Sequence, residues 1–270
     1  MAVTLEGGCR VSEMREGEPL TEGTLRIWNR IGRATGAQAI SLRIMEFAPG
    51  LSPGLRNDEC DEILYALPSA RGSPVRDEVS TTRVSGWVNA FIDGRHYELG
   101  ANTGIYLRPS ETFAIDNSGP SSFVLVSSQC PDPDRKPQFV KPLPTPSSDS
   151  RPSERPRLAR LADRPAQPTA DRWYRVLVDD EVGSKQVTQF VGSIPPGRAP
   201  DHFHNYEEVL FILKGQGRMW AGETNTPIAP GSCIYLPKGR VHCVENTGTD
   251  ELRLLGVFYP AGSPSVRYDV

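Results

Sequence analysis

Three of the four histidines in this chain lie close together, and a glutamate accompanies them. His202 and His204 are separated by one residue, and Glu208 follows four positions after His204. Because alternate side chains of a β-strand point to the same face, a strand through this segment places all three on one side. Imidazole and carboxylate groups bind divalent transition metals. The spacing therefore predicts a metal site carried by strands.

Two longer patterns surround these residues. The first is His-x-His-x3-Glu-x6-Gly and begins at His202, and the second is Gly-x5-Pro-x-Gly-x2-His-x3-Asn and ends at Asn246. The two patterns resemble the two motifs of the cupin superfamily. The resemblance implies a small jelly-roll barrel, or double-stranded β-helix. It also implies that the metal ligands inside that barrel are His202, His204, Glu208 and His242.

A weaker copy of the same order of segments precedes these motifs. Residues 62–65 correspond to 208–211, and residues 105–107 correspond to 234–236, with the order kept along the chain. Self-similarity of this kind indicates two copies of one structural unit. The chain therefore resembles a bicupin. The expected fold class is all-β, with two tandem jelly-roll barrels joined by a proline-rich linker.

The first copy lacks most of the ligand side chains. The positions equivalent to the three histidines hold Arg56, Asp58 and Phe113, and only Glu62 keeps the identity of a ligand. Phenylalanine has no donor atom, and arginine does not lose its proton in proteins. We therefore predict that the N-terminal barrel is a degenerate, metal-free cupin with a structural role. As an alternative, Arg56 could hold a carboxylate or phosphate in a second ligand site.

Composition suggests where the two barrels begin and end. We expect an N-terminal arm at residues 1–22, the degenerate barrel at 23–130, a linker at 131–171 and the metal-binding barrel at 172–270. The linker is rich in proline, arginine and serine. Proline cannot donate a ladder hydrogen bond, and this composition cannot form a core. We therefore expect the linker to lie on the surface without pairing.

Charge and composition exclude several classes of partner. The formal net charge is −3 and the isoelectric point about 5.9, which argues against a nucleic acid or an anionic membrane surface as partner. No run of about 18 apolar residues is present, and the first residues do not read as a signal peptide. The five cysteines form no CxxC pair, so reduced thiols and a cytoplasmic location are expected. A homodimer is compatible with the sequence.

The ligand set determines the chemistry that can be expected. Three imidazoles and one carboxylate leave about two open positions on an octahedral cation. Iron(II) is the leading cofactor hypothesis, with Mn(II), Ni(II) or Zn(II) as the others. The leading function is a mononuclear non-heme Fe(II) oxygenase, in particular a dioxygenase. Its expected partners are O2 and a small metal-chelating aromatic or enolisable substrate.

Two alternatives remain open at the level of sequence. One is a redox-neutral, metal-dependent isomerase, lyase or decarboxylase, and the other is a non-catalytic small-molecule-binding cupin. The catalytic candidates are Arg218, which could pair with a substrate anion, and Tyr206 or Glu207 as a base. Further candidates for the pocket wall are Gln189, Trp220 and Tyr235.

Overall fold

A computed structural model describes residues 1–68, 86–143 and 156–266, and also the backbone of the short strand at 268–269. The described chain is almost entirely β-structure, as the sequence predicts. Within the described residues, no helix is long and apolar enough to cross a membrane. The helical segments are four 3₁₀ turns at Glu6–Gly8, Arg33–Thr35, Leu161–Asp163 and Asp180–Val182.

In the described residues, the strands of the first half comprise three short strands in the N-terminal arm and ten in the region predicted as the first barrel. They are β1 (Val3–Thr4), β2 (Arg10–Glu13), β3 (Leu20–Glu22), β4 (Leu25–Ile31), β5 (Leu42–Phe47), β6 (Gly50–Leu51), β7 (Gly54–Arg56), β8 (Asp61–Ala66), β9 (Val88–Ile92), β10 (Arg95–Leu99), β11 (Thr103–Leu107), β12 (Thr112–Asn117) and β13 (Phe123–Cys130).

The second half begins with three strands inside the predicted linker and continues through the second barrel. The strands are β14 (Gln138–Val140), β15 (Leu158–Arg160), β16 (Gln167–Thr169), β17 (Arg172–Val178), β18 (Thr188–Ile194), β19 (Gly197–Arg198), β20 (His202–Phe203), β21 (Glu207–Lys214), β22 (Gly217–Ala221), β23 (Thr224–Ile228), β24 (Ser232–Leu236), β25 (Cys243–Asn246), β26 (Leu252–Tyr259) and β27 (Tyr268–Asp269).

Each barrel closes from two facing sheets, and the two barrels repeat one topology. In the first barrel, one sheet contains the strand order β11-β8-β13-β5-β4-β3, and in the second the corresponding order is β24-β21-β26-β18-β17-β16. The facing sheets are β10-β9-β12-β7-β14 and β19-β25-β22-β23. This repetition confirms the prediction of two tandem jelly-roll barrels.

Three apolar cores hold the molecule together. One fills the first barrel, one fills the second, and the third lies between the barrels and draws residues from both. Tyr65 and Ile44 of the first barrel share the third core with Val191 and Val209 of the second, and all four are buried. Burial of this apolar surface stabilises the contact between the barrels.

The linker differs from the expectation of unpaired surface chain, and the arm is paired as well. Strand β2 of the arm pairs with β24 of the second barrel, and strand β15 of the linker pairs with β11 of the first barrel. Strands β14 and β16 of the linker also pair, with β7 and β17. Proline density therefore did not prevent pairing, because these strands add to sheet edges, where a ladder tolerates missing donors. The linker residues 144–155 lie outside the described part.

Candidate metal centre

The backbone brings the two motifs into direct contact at the histidines. The amide of His202 donates to the carbonyl of His242 at 3.1 Å, and the amide of His242 donates back at 2.9 Å. His204 follows two residues later, with 7% of its surface exposed, and His242 is 3% exposed. This antiparallel bridge places the histidine of the second motif beside those of the first.

The three imidazoles form one cluster. A ligand nitrogen from each of His202, His204 and His242 lies within 4.8 Å of the others. Their ring centroids are 4.7 to 5.2 Å apart. Metal–nitrogen distances are about 2.0–2.1 Å, so nitrogens bound to one ion lie at most about 4 Å apart. Small side-chain rotations would therefore bring all three nitrogens onto a single ion.

Backbone carbonyls set the tautomer of two of the rings. The Nδ1 of His202 lies 2.9 Å from the carbonyl of Pro200, and the Nδ1 of His242 lies 2.8 Å from the carbonyl of Arg240. A carbonyl oxygen can only accept, so each Nδ1 carries the proton and donates it. The Nε2 of each ring is left with the lone pair that a metal ion needs, as second-sphere carbonyls commonly arrange.

Glu208, the fourth predicted ligand, lies beside His204 but outside the group in which all ligand atoms are within 4.8 Å of one another. Its Oε2 lies 3.5 Å from the Nε2 of His204, and its side chain is buried. Burial raises the pKa of Glu208 to about 8. Burial, followed by the neighbouring imidazoles, lowers the pKa of His204 to about 3 and that of His242 to about 4. Neutral imidazoles beside a carboxyl group that lacks a counter-charge form a donor set that fits a divalent cation.

Tyr206 lies next to this cluster as a packing residue. Its ring stacks on His204 with a centroid distance of 4.7 Å and an angle of 10°. The other face of Tyr206 stacks on Phe258, at 4.5 Å. Tyr206 therefore holds the imidazole of His204 in place from the side, and the structure does not place it among the residues that line the pocket.

Glu207 points away from the histidines, as strand alternation requires for the neighbour of Glu208. Its carboxylate accepts the amides of Gln38 at 2.9 Å and Ala39 at 2.6 Å, both in the first barrel. It also accepts the hydroxyl of Tyr235. Glu207 and Tyr235 thus join the two barrels and do not face a ligand in the pocket.

The remaining sequence candidates also lie away from the cluster. Arg218 is exposed on β22 and donates to Asn225 of the neighbouring strand. Trp220 lies on the same sheet and donates to Glu245 at 2.7 Å. Gln189 is fully buried between the barrels, where its Nε2 donates to the carbonyl of Leu64. The structure brings none of these three residues to the histidines.

The histidines and Glu208 line a pocket of about 800 Å³, its open mouth included. Sequence reasoning missed the residues of its wall. Most of that wall is apolar, and it includes Trp173, Tyr174, Phe190, Leu210 and Leu254. The alternation of apolar residues along β18 places Phe190 inside the barrel, and this was the available signal. It could not show which inward residues surround the cluster and which fill the core.

The first barrel shows how the equivalent site was lost. Arg43 donates to Glu62 and, at 3.1 Å, to Ser127. Ser127 donates to the same oxygen of Glu62 at 2.7 Å, and Gln129 donates to the other oxygen at 3.1 Å. Arg43 on β5 and Phe190 on β18 occupy equivalent positions in the two barrels. The residues paired with them, on β13 and β26, are themselves equivalent. A buried guanidinium thus occupies the position that a cation would take beside Glu62.

The other positions of the degenerate site have separate roles. Arg56 and Asp58 form an ion pair at 2.8 Å, and both side chains are exposed. Phe113 is buried and packs edge-on against Phe47, with a centroid distance of 6.4 Å. Within the described residues, clusters of three or more potential ligand side chains are limited to the one formed by the three histidines.

Comparisons with known proteins agree with this geometry. Residues 190–258 match the family model described as Cupin domain. Auxin-binding protein 1 of Arabidopsis thaliana is 35% identical over 83 residues, which are 27% of this chain and 42% of that protein. The oxalate-binding protein of Thermotoga maritima is 35% identical over 66 residues, which are 24% of this chain and 54% of that protein. The chain thus matches about half of the length of these relatives.

A solved structure extends the similarity to both barrels. Oxalate decarboxylase of Bacillus subtilis superposes with a TM-score of 0.69 at 15% identity, over 93% of this chain and 76% of that chain. An identity of this size supports a common fold and no more. The family match places residues 190–258 in the cupin family, and the repeated barrel topology and this superposition show that the chain as a whole has a bicupin fold.

Proposed function

We propose that this chain is a divalent-metal-dependent decarboxylase of small carboxylic acids that carry a carbonyl group. Its metal ligands would be His202, His204, Glu208 and His242. The observation that carries the proposal is the composition of the pocket. Apart from the four ligands, the described residues that line it include no carboxyl, imidazole or lysine amine. An isomerase, or a lyase that begins by removing a proton from its substrate, ordinarily uses such a group as the base.

Loss of CO2 from a 3-oxo acid needs no proton abstraction by the protein. The electron pair of the breaking carbon–carbon bond passes into the neighbouring carbonyl group, and water then supplies a proton to the carbon. A divalent cation bound by the four ligands would supply the Lewis acidity that stabilises negative charge on that carbonyl oxygen. The reaction is redox-neutral and requires no co-substrate besides water.

The residues of this chain contribute binding, orientation and exclusion of water. The carbonyls of Pro200 and Arg240 hold His202 and His242 with their Nε2 lone pairs available. Tyr206 holds the ring of His204 by stacking on it. The apolar wall excludes water. It also destabilises the localised charge of the substrate carboxylate more than the dispersed charge of the transition state, in which the carbon–carbon bond is breaking.

The similar proteins support the redox-neutral alternative more than the oxygenase hypothesis. Their printed names describe a decarboxylase of oxalate and binding proteins for oxalate and auxin. None of the names given above describes an oxygenase. The proposed reaction does not require iron in particular, so Mn(II), Fe(II), Ni(II) and Zn(II) are all candidates for the site. The absence of a further carboxyl, imidazole or lysine amine from the described wall also suits a metal-dependent carboxylate-binding protein.

The test is CO2 release from a 3-oxo monoacid in the absence of O2. The protein is stripped with a chelator, reloaded with one of the four metals and freed of excess ion. Benzoylacetate is then added, and CO2 is followed by membrane-inlet mass spectrometry. We expect release well above that of the metal-free protein for at least one metal. His242→Ala should lose both the metal and the activity.

Phe113→Leu is the matched control, because Phe113 occupies the position of His242 in the first barrel and should leave metal content unchanged. Saturable binding of benzoylacetate with no CO2 release would replace the decarboxylase by the binding protein. Turnover that requires O2 would restore the oxygenase.

A further inference from the structure

We infer that the pocket selects monoanionic acids with an apolar, preferably aromatic, body and rejects dicarboxylates such as oxalate. This inference rests on the proposed function for the metal site and adds the class of substrate. Two features of the structure carry it, the balance of charge in the pocket and the nature of its wall.

The charge of the loaded site matches one negative charge. Three neutral imidazoles, an ionised Glu208 and a divalent cation add up to about +1. Arg172 is the only lysine or arginine among the described residues that line the pocket. Its Nε donates to Asp171 at 2.9 Å, so its charge is already partly compensated. A monoacid would leave the pocket neutral, whereas a diacid would leave a buried, uncompensated charge, which is costly.

Most of the wall offers contact to an apolar group. Phe190 packs edge-on against Tyr174 and also contacts Phe258, with centroid distances of 6.4 and 6.0 Å. A side chain at Gly256 would lie 2.3 Å from the ring of Phe190, so the glycine leaves room for that ring. Leu210 and Leu254 add further apolar surface. A substrate body that is aromatic or branched would bury its surface against these residues.

The first barrel shows by contrast what an anion would require. At the position of Phe190 it holds Arg43, and the carboxylate of Glu62 is fully satisfied by Arg43, Ser127 and Gln129. The buried carboxylate of Glu62 is thus accompanied by a guanidinium and two neutral donors. The second barrel has the aromatic ring of Phe190 in place of that guanidinium.

The experiment compares acids that share one head group and differ in the body. Binding of 3-phenylpropanoate and of glutarate to the metal-loaded protein is measured by isothermal titration calorimetry, since neither acid can lose CO2 by the proposed route. We expect 3-phenylpropanoate to bind about tenfold more tightly or better, because burial of one aromatic ring is worth at least that factor. Equal or tighter binding of glutarate would overturn the inference.

Two leucine variants locate the effect. Leu254→Ala should weaken binding of 3-phenylpropanoate by about three- to tenfold and leave glutarate unchanged. Leu125→Ala is its matched control, because Leu125 is the buried counterpart in the first barrel and lines no part of the pocket. Equal weakening by both variants would show a general loss of stability and would contradict a contact at Leu254. The wild-type affinity ratio is independent of whether the variants fold.

Turnover separates this inference from the proposed function. If benzoylacetate and 3-oxoglutarate both lose CO2 and 3-oxoglutarate is preferred, the decarboxylase stands and the selectivity for apolar monoacids fails. If neither loses CO2 but 3-phenylpropanoate still binds more tightly than glutarate, the selectivity stands and the decarboxylase fails.

Discussion

The two barrels carry a glutamate at the same position, but the chemical environment of that glutamate differs between them. Glu62 and Glu208 occupy equivalent places in the two barrels, and both are buried. Glu62 is neutralised by Arg43 and also accepts from two neutral donors, whereas Glu208 lies 3.5 Å from the imidazole of His204. One glutamate is therefore satisfied by the chain itself, and the other is suited to a metal ion.

The environment of Glu208 predicts proton release when metal binds. Its pKa in the metal-free protein is raised to about 8, so the carboxyl is largely protonated at pH 7. His204 and His242, with pKa values of about 3 and 4, are already neutral at that pH. Metal binding requires the carboxylate, so Glu208 should release close to one proton at pH 7 and almost none at pH 9.5.

Calorimetric titrations of the metal in buffers of different ionisation enthalpy measure this number. A release that does not fall between pH 7 and pH 9.5 would contradict the role of Glu208. In the metal-free protein, the contribution of Glu208 to stability falls as pH rises from about 4.5 to 8, whereas the depressed pKa values of His204 and His242 make stability rise up to about pH 6.5. A net loss of stability is therefore expected between about pH 6.5 and 8.

Arg43 should be needed for stability and not for metal binding. Arg43→Met leaves the Glu62 carboxylate buried without its cation, which typically costs about 3–5 kcal/mol of unfolding free energy. The double variant Arg43→Met with Glu62→Leu removes both charges and should recover most of that loss. Urea unfolding measures both effects. Metal content should be unchanged in each variant that folds, and loss of metal would show that the first barrel takes part in the site.

At the scale of elements, the C-terminal segment closes one side of the pocket. We call residues 260–266 together with β27 the C-terminal strap. Pro264 and Ser265 of the strap line the pocket, and β27 pairs with β20, the strand that carries His202. The amide and carbonyl of Gly262 both bond to the hydroxyl of Thr188, at 3.2 and 3.1 Å. The strap is thus held at two places and covers part of the pocket mouth.

Deletion of residues 263–270 should open the mouth without unfolding the barrel, because the described side chains of this part lie outside the three apolar cores. We expect a chelator to remove the metal several-fold faster from the shortened protein, as followed by stopped-flow absorbance. Thr188→Val, which removes the two bonds to Gly262, should give a smaller increase. An unchanged rate in both variants would show that the strap does not limit access.

At the scale of the whole molecule, the two barrels are joined by matched contacts. Glu207 accepts the amides of Gln38 and Ala39 from the other barrel and the hydroxyl of Tyr235. In the equivalent position, Asp61 accepts the hydroxyl of Tyr106 at 3.0 Å and the side-chain amide of Gln186 across the interface. Strand β2, which precedes the first barrel in the chain, extends a sheet of the second barrel. Strand β15, which precedes the second barrel, extends a sheet of the first. These contacts join the barrels into one folded unit.

The molecule should therefore unfold in a single transition. Loss of metal and loss of far-ultraviolet circular dichroism should coincide in urea. Glu207→Gln should lower the unfolding free energy by about 1–3 kcal/mol, because bonds from backbone amides to a charged acceptor are lost. Glu223→Gln, at an exposed position, is the control and should have little effect. Two separate transitions in the wild-type protein would contradict the single folded unit.

Much of the fold could be predicted from the sequence, because its evidence is local. Alternation of apolar residues indicates strands, and the repeated order of segments indicates two barrels. The grouping of His202, His204 and His242 could be expected from the two motifs. The pairing of the arm and the linker could not, because short edge strands such as β2 and β15 are stabilised by the sheet that they join.

The catalytic candidates show most clearly what could not be predicted from the sequence. The choice of Glu207 and Arg218 rested on residue type, and residue type does not state which way a side chain points. Strand register turns Glu207 towards the first barrel and leaves Arg218 in solvent. The sequence by itself determined the fold class, the repeat and the metal-ligand candidates, since each depends on residue identity and spacing. Only the tertiary structure decided the apolar wall, the Arg43–Glu62 pair and the joined barrels, because each depends on residues that are distant in sequence and meet when sheets close.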